Sequence, residues 1–184
     1  MKSFSATDAI FASEAASTTL DRTSLEQRFN GLLQVHGAAL ARLAASYTDT
    51  ASDRDDLLQE IAIAVWQALR QFRGECSERT FVFRIAHNRA ITHLARNRQR
   101  PAAEEVEVYD PAPNPETGLV HEQRMQRLRR AIHRLPVVYR QTIILSLEGL
   151  AYGEIADVLG ISENNVGARL SRARQMLRES LEQQ

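Results

Sequence analysis

Amide and guanidinium side chains are concentrated near the C-terminal end of the sequence, at spacings that would place them on one helix face. The group consists of Asn164, Asn165, Arg169, Arg172 and Arg174. In the major groove of DNA, Asn can pair with adenine and Arg with guanine, so this face could read base edges. From this group alone, a plain helical hairpin with an exposed basic face remains the alternative.

The segment before this group has the features of a turn between two helices. Ala156 is a small residue at the point where two helices would cross, and Gly160 can supply the turn. Ser162 can cap the next helix, in which Val166 is a buried aliphatic residue. This order of residues predicts a helix-turn-helix.

Acidic side chains are concentrated at the start of another predicted helix, at Asp53, Asp55, Asp56 and Glu60. The helix dipole favours carboxylates in a first turn whatever their function. Carboxylates one turn apart also present a negative patch that suits an Arg-rich partner. A metal site or an acid-catalysis site is disfavoured, because no second acidic or histidine cluster is placed to complete it. We therefore expect no cofactor.

Charge is strongly segregated along a chain whose net charge is zero. Residues 70–100 carry eight Arg and two Glu, and residues 124–147 carry six Arg and no acid. Between them, residues 101–123 carry six acids and no Lys or Arg. A uniformly basic nucleic-acid binder is excluded, and two separate contacts with a polyanion are predicted.

Composition excludes several other classes of protein. The chain has 184 residues, of which 43% are hydrophobic, as is usual for a globular protein. A single cysteine, Cys76, excludes an internal disulfide framework and a Cys-based zinc site. No apolar run approaches the ~18 residues of a membrane span, so no membrane insertion is expected. The first 24 residues lack the basic start and apolar stretch of a signal peptide, which favours a cytoplasmic protein.

Apolar residues recur at intervals of three and four through most of the chain, which is typical of amphipathic helices. A capping-box spacing predicts that one helix begins at Thr23 and runs to Tyr47. A second helix is predicted from near Ser52, and a third over about residues 77–98. No alternating strand pattern of useful length is present.

Four of the five prolines and several acids lie in residues 99–118, which predicts a flexible acidic linker. The predicted fold class is therefore all-α, with two small helical domains at residues 24–98 and 119–184. A disordered tail is predicted at residues 1–23. The C-terminal domain contains the helix-turn-helix.

Several segments resemble, in order, those of extracytoplasmic-function (ECF) sigma factors, which are two-domain bacterial initiation factors. Residues 53–60, DRDDLLQE, resemble the family pattern D-x-E-D-L-x-Q-E, and residues 84–88, RIAHN, resemble R-I-A-x-N. Residues 72–75, FRGE, resemble the loop between these two segments. In the C-terminal half the similar segments are 135–140, 154–156, 160–162 and 169–174. The resemblance covers about residues 25–180.

The resemblance implies a non-enzymatic factor that binds core RNA polymerase, recognises the −10 and −35 promoter elements and helps to melt DNA. The implied polymerase-binding residues are Asp53, Asp55, Asp56, Gln59 and Glu60. The implied −10 contacts are Arg73, Cys76, Ser77, Arg79, Thr80, Arg84, His87, Asn88, Thr92 and Arg96. The implied −35 contacts are Asn164, Asn165, Arg169, Ser171 and Arg172.

The recognition helix departs from the commonest family form, which has Gly-Thr-Val followed by a basic residue and Ser. Here residues 164–168 read NNVGA, so a basic residue and a hydroxyl are missing. The family also implies an anti-sigma factor as a further partner, and we expect a monomer. Two alternatives stay open: a dimeric helix-turn-helix regulator that acts without polymerase, and a small acid- or metal-dependent enzyme.

Overall fold

The computed structural model describes the backbone of residues 6–97 and 118–182, and the side chains of residues 23–97, 125 and 127–182. All regular structure in these ranges is helical, which confirms the predicted all-α class. The first domain contains α1 (Ala6–Ala45), α2 (Ala51–Leu69) and α3 (Glu78–Asn97). The second contains α4 (Gly118–Arg134), α5 (Val137–Leu147), α6 (Tyr152–Leu159) and α7 (Glu163–Glu182).

The predicted linker at residues 99–118 lies outside the described residues, except for Gly118, which begins α4. The start of α1 differs from the prediction. This helix begins at Ala6, within the predicted tail, and continues through the capping-box spacing at Thr23. No Gly or Pro occurs before Gly31, and the Ala-rich sequence favours helix, so nothing local ends the helix at Thr23.

The core of the first domain is formed by the apolar stripe of α2 packed between α1 and α3. Leu57, Ile61 and Val65 are at most 1% exposed, as the three- and four-residue spacing predicts. The hydroxyl of Thr50 caps α2 by accepting a hydrogen bond from the Asp53 amide at 3.1 Å. This cap fixes where the acidic segment begins on the helix.

The second domain is built around the packing of α7 on α5 and α6. Ile155 of α6 and Leu170 of α7 are fully buried, together with Leu145 of α5. The Arg140 guanidinium is buried too, and it donates to the main-chain carbonyls of His133 and Leu135. Arg140 therefore satisfies free carbonyls at the end of α4 and has a structural role.

The two domains contact each other, chiefly where α3 packs against α6. Across both described ranges, every helix is too short or too polar to cross a membrane.

Candidate nucleic-acid interface

The turn between α6 and α7 has the geometry that the sequence predicted. Gly160 ends α6 in the left-handed conformation, with φ of 65° and ψ of 38°. The Ser162 hydroxyl accepts a hydrogen bond from the Asn165 amide at 3.3 Å, so it caps α7. Val166 is fully buried behind this turn. The helix-turn-helix prediction is confirmed.

The opposite face of α7 is exposed. It presents Asn164, Asn165, Ser171 and Arg172 to the surface, with Arg169 half-buried beside them. The Arg169 Nε donates to the Asn165 side-chain oxygen at 3.0 Å, which holds the two side chains together. The hydrogen bond holds an amide and a guanidinium side by side on α7, and either type of group can pair with base edges in a major groove.

A second polar surface runs along α3. Arg84, Asn88, Thr92 and Arg96 are all exposed, and their four-residue spacing places them in one row on the helix. We call this row the α3 stripe. Two guanidinium groups and two uncharged polar groups in one row can contact both phosphates and bases of a nucleic-acid strand.

The α3 stripe leads into a cavity beneath the loop between α2 and α3. The cavity has a volume of about 840 Å³, and Arg84 belongs to its wall. Its other charged, aromatic and thiol side chains are those of Arg70, Phe72, Arg73, Glu75, Cys76, Phe81 and Asp157. We call this space the loop cavity. The rings of Phe72 and Phe81 pack against each other with their planes tilted by 34° and their centroids 4.3 Å apart, and together they form the apolar part of the wall.

Two residues predicted to contact the −10 element are buried. Thr80 is 2% exposed, and its amide and hydroxyl both interact with the Ser77 hydroxyl at the start of α3. His87 is 7% exposed among core residues, where desolvation lowers its pKa to about 4. Within the described chain, the His87 Nδ1 has no hydrogen-bond partner. Neither residue faces the surface, so both leave the candidate set.

Arg79, which was also predicted to contact the −10 element, lies between the two domains. Its guanidinium donates to the main-chain carbonyl of Glu148, in the loop that follows α5. Arg79 therefore bridges the two domains in this structure. Ser77 is exposed and Cys76 is half-buried, while Arg73 is exposed at the tip of the loop.

The acidic residues of α2 lie along one exposed edge. Asp55, Asp56 and Gln59 are exposed, whereas Asp53 and Glu60 are half-buried. Glu60 accepts two hydrogen bonds from the Arg96 guanidinium, each at 2.6 Å. We call this row the α2 acidic edge. Within the described residues, no group of three or more His, Cys, Asp or Glu side chains could hold a metal ion.

Asp157 and Arg70 line the loop cavity but were absent from the predicted set. Arg70 stands one residue after α2, so its place beside the loop could have been inferred from the sequence. Asp157 belongs to α6 of the other domain, and no local signal connects it with this loop.

Two family models match the chain. The model of Sigma-70 region 2 matches residues 32–100, which include α2 and α3. The model of Sigma-70, region 4 matches residues 125–177, which include the helix-turn-helix. The two polar surfaces thus lie in separate matched regions.

Similar proteins include two sigma factors. The RNA polymerase sigma factor NccH of Alcaligenes xylosoxydans xylosoxydans is 34% identical over 157 residues, covering 81% of this chain and 84% of NccH. The ECF RNA polymerase sigma-E factor of Escherichia coli (strain K12) is 30% identical over 164 residues, covering 83% of this chain and 85% of that protein.

Two solved structures are similar to the fold. CnrH, in complex with the cytosolic domain of CnrY, has a TM-score of 0.66 and 27% identity, covering 85% of this chain and 89% of that chain. The sigma factor RpoE of Bartonella quintana, in complex with the anti-sigma factor NepR, has a TM-score of 0.69 over 85% of this chain and 98% of that chain. At 23% identity, the second likeness concerns the fold alone.

The matched regions and the relatives confirm the resemblance found in the sequence: the chain belongs to the ECF family of RNA polymerase sigma factors and is an alternative sigma factor for transcription initiation.

Proposed function

We propose that this sigma factor binds core polymerase through the α2 acidic edge and reads the two promoter elements with the α3 stripe and α7. The observation that carries this proposal is the placement of the two Arg- and Asn-containing surfaces on separate domains, with the acidic edge beside only one of them. The chain supplies specificity and no catalytic step of its own.

The −10 element is assigned to the α3 stripe and the loop cavity. Arg84 and Arg96 supply positive charge along the strand, and Asn88 supplies hydrogen-bonding groups between them. An unstacked base would enter the loop cavity, where the Phe72 and Phe81 rings line the wall. Opening of the duplex is favoured when a protein holds the separated base in this way.

The −35 element is assigned to the exposed face of α7. Asn165 and Arg169 act together because of their 3.0 Å hydrogen bond, and Asn164, Ser171 and Arg172 flank them. The missing basic residue and hydroxyl in residues 164–168 shift the contacts towards the Arg169 end of this face. The base sequence read is therefore expected to differ from that of relatives with the commoner motif.

Core polymerase is assigned to the α2 acidic edge. Asp55 and Asp56 are exposed carboxylates on adjacent positions, and Gln59 follows one turn later. Such an edge complements a basic helical surface. Since polymerase and chromosome share a compartment, we place the action of the chain in the cytoplasm.

An anti-sigma factor is the proposed regulatory partner. Two similar folds were solved in complexes, one with the cytosolic domain of CnrY and the other with the anti-sigma factor NepR. A partner of this kind would act by covering the surfaces assigned above to polymerase or DNA.

Run-off transcription tests the proposed function. Purified core polymerase, the full chain and a fragmented genomic library from the host are combined, and transcripts that require the chain are mapped. Discrete start sites with shared upstream sequences at −10 and −35 are expected. The variant Asp55→Lys/Asp56→Lys should lose these transcripts, whereas Glu179→Lys/Glu182→Lys, at the far end of α7, should keep them.

A different outcome of this experiment would contradict the proposed function. DNA binding by a dimer of this chain, with no polymerase-dependent transcript, would replace the proposal by a helix-turn-helix regulator acting alone. Analytical ultracentrifugation of the same sample gives the oligomeric state.

A further inference from the structure

We propose that Arg28 of α1 is a positioning residue for −10 recognition, because it joins the two ends of the loop between α2 and α3. This loop comprises residues 70–77. The proposal rests on the proposed function, since it uses the assignment of the −10 element to the α3 stripe and the loop cavity. Arg28 sets the shape of the cavity and does not itself contact the base.

The Arg28 guanidinium contacts one residue at each end of the loop. Its Nε donates to the Glu78 Oε1 at 2.8 Å, and a terminal nitrogen lies 2.7 Å from the same oxygen. Glu78 is the first residue of α3. The Arg28 Cζ also lies over the Phe72 ring, 5.2 Å from its centroid, a distance at which a guanidinium and an aromatic ring attract each other. One side chain of α1 therefore holds the start of the loop and its end.

Phe72 connects Arg28 with the loop cavity. The Phe72 and Phe81 rings pack with their centroids 4.3 Å apart, and both residues line the cavity, whereas Arg28 does not. The guanidinium over the Phe72 ring restricts the orientation of that ring, and the ring in turn contacts Phe81. Arg28 thus acts from outside the cavity on the wall that a separated base would meet.

The middle of the loop has few restraints of its own. Gly74 has φ of 79°, and glycine admits more backbone conformations than other residues. In the described part of the chain, no main-chain hydrogen bond joins residues 73–76 to another residue. The positions of Arg73 and Cys76 therefore depend on how the two ends of the loop are held.

Arg28 extends from a fixed part of α1. The neighbouring Phe29 packs edge-on against Trp66 of α2, with the ring centroids 5.2 Å apart. This contact fixes α1 against α2, although the Arg28 side chain is itself 43% exposed. The model of Sigma-70 region 2 matches residues 32–100, so Arg28 lies before the matched residues.

Direct contact between Arg28 and a DNA phosphate is the competing explanation, because the guanidinium is exposed and positive. The two explanations differ for Glu78→Gln. Removal of this negative charge should strengthen the attraction of phosphates, so direct contact predicts a higher affinity for DNA and unchanged discrimination between bases. If Arg28 positions the loop through Glu78, the same variant loses the ion pair and discriminates less well between bases.

Electron paramagnetic resonance tests the order of the loop without polymerase or DNA. A nitroxide is attached to Cys76, which is the single cysteine of the chain. Glu78→Gln should raise the ratio of mobile to immobile label by up to about fivefold, the range of an exposed ion pair. Arg28→Gln should raise it further, because this variant also loses the contact with the aromatic ring.

Matched charge controls are available near the end of α7. Arg178→Gln and Glu182→Gln remove the same charges from exposed positions in the other domain, so the label ratio should not change. An unchanged ratio in either Arg28→Gln or Glu78→Gln would overturn the proposal, as would an equal rise in the controls.

Discrimination between bases tests the role of Arg28 in recognition. The complex of core polymerase with the full chain is titrated with two promoters, mapped by run-off transcription, that differ at one base of the −10 element. The ratio of the two affinities does not depend on the fraction of folded protein, so a variant that is merely destabilised leaves it unchanged.

Glu78→Gln should lower this affinity ratio by up to about fivefold, and Arg28→Gln should lower it further. The double variant should lower it no more than Arg28→Gln does, because the two residues act as a pair. The affinity for core polymerase should stay the same. An equal loss on both promoters, or a higher affinity of Glu78→Gln at a constant ratio, would overturn the proposal in favour of direct phosphate contact.

Failure of the proposed function would give a different result. A wild-type chain that supports no transcript and does not discriminate between −10 bases would refute the assignment of that element, whatever the label ratio shows. A wild-type chain that discriminates between bases as well as Arg28→Gln and Glu78→Gln do would refute only the role of Arg28.

Discussion

The guanidinium of Arg96 in α3 donates to both carboxylate oxygens of Glu60 in α2, each at 2.6 Å. Arg96 ends the α3 stripe assigned to DNA, and Glu60 ends the α2 acidic edge assigned to polymerase. The two surfaces therefore share one ion pair. Binding of either partner alters the charge that the other one meets, so we expect polymerase binding and −10 recognition to be energetically coupled.

Neutralising single acids should distinguish the members of the α2 acidic edge. Asp56→Asn should weaken binding to core polymerase by about 1.5–3 kcal/mol, because Asp56 is exposed and pairs with no side chain in the described chain. Glu60→Gln should cost less than about 1 kcal/mol, because Arg96 already compensates the Glu60 carboxylate. Titration of labelled chain with core polymerase measures both. Equal losses would show that Glu60 leaves Arg96 to contact polymerase.

Shortening one arginine of α7 should weaken promoter recognition. Arg172→Ala should reduce the affinity of the polymerase complex for promoter DNA by about 1–3 kcal/mol and relax discrimination at one base pair of the −35 element. Arg178→Ala provides the control, since Arg178 is also exposed but lies near the end of α7. Fluorescence anisotropy on promoters with and without a substituted −35 element measures the difference. Unchanged affinity in Arg172→Ala would remove Arg172 from the reading set.

His87 should make the first domain sensitive to mild acid. Burial lowers its pKa from 6.5 to about 4, so the unfolded chain takes up a proton at a higher pH than the folded one. Above pH 6.5, His87 is neutral in both the folded and the unfolded chain, so it does not reduce the free energy of unfolding. As the pH falls from 6.5 towards 4, protonation of the unfolded chain lowers the free energy of unfolding. Between pH 7 and pH 5 the loss should be about 2 kcal/mol.

Urea unfolding of the wild type and His87→Leu at both pH values isolates this contribution. Leucine cannot take up a proton, so the variant should lose about 2 kcal/mol less than the wild type over the same pH interval. The comparison uses the change with pH, which is independent of any constant effect of the substitution. The same pH dependence in both proteins would contradict a neutral buried His87.

Two glycines of the helix-turn-helix should respond to alanine in opposite directions. Gly160→Ala should destabilise the second domain by about 1 kcal/mol, because Gly160 has φ of 65°. Gly167→Ala should stabilise it by up to about 1 kcal/mol, because Gly167 is inside α7 and an added Cβ would meet only the Tyr152 ring at 3.7 Å. Thermal unfolding measures both, and a change of the same sign in both variants would contradict this account.

Local patterns were sufficient to predict the helix-turn-helix. Gly160, Ser162 and Val166 lie close together in the sequence, and their left-handed cap, N-cap and burial follow from residue type and spacing. The stripe of α2 was predictable for the same reason. By contrast, the start of α1 was not fixed by the capping-box spacing, because the Ala-rich residues before Thr23 favour continued helix.

The side chains of α3 were only partly predictable. His87 is polar, but it lies four residues after Phe83 and three before Ala90, both of which are buried. That spacing places His87 on the core face, so helix periodicity could have excluded it from the DNA-contacting set. The residue type of His87 alone indicated a surface position, whereas its position on the helix places it in the core.

The domain contact was beyond the reach of local reasoning. Arg42 and Glu148 are 106 residues apart, and each belongs to a segment that folds within its own domain. Their pairing depends on the relative placement of two finished domains. Asp157 lines the loop cavity because of the same placement of the two domains. No local sequence signal therefore indicated the part of the site that is formed between the domains.

The contact between Arg79 and Glu148 has an evolutionary consequence, because its acceptor is a main-chain oxygen. Every amino acid offers this oxygen, so drift at position 148 can strengthen or abolish the ion pair with Arg42 while the Arg79 contact persists. The Arg79 contact is therefore less sensitive to substitution at position 148 than the ion pair with Arg42 is.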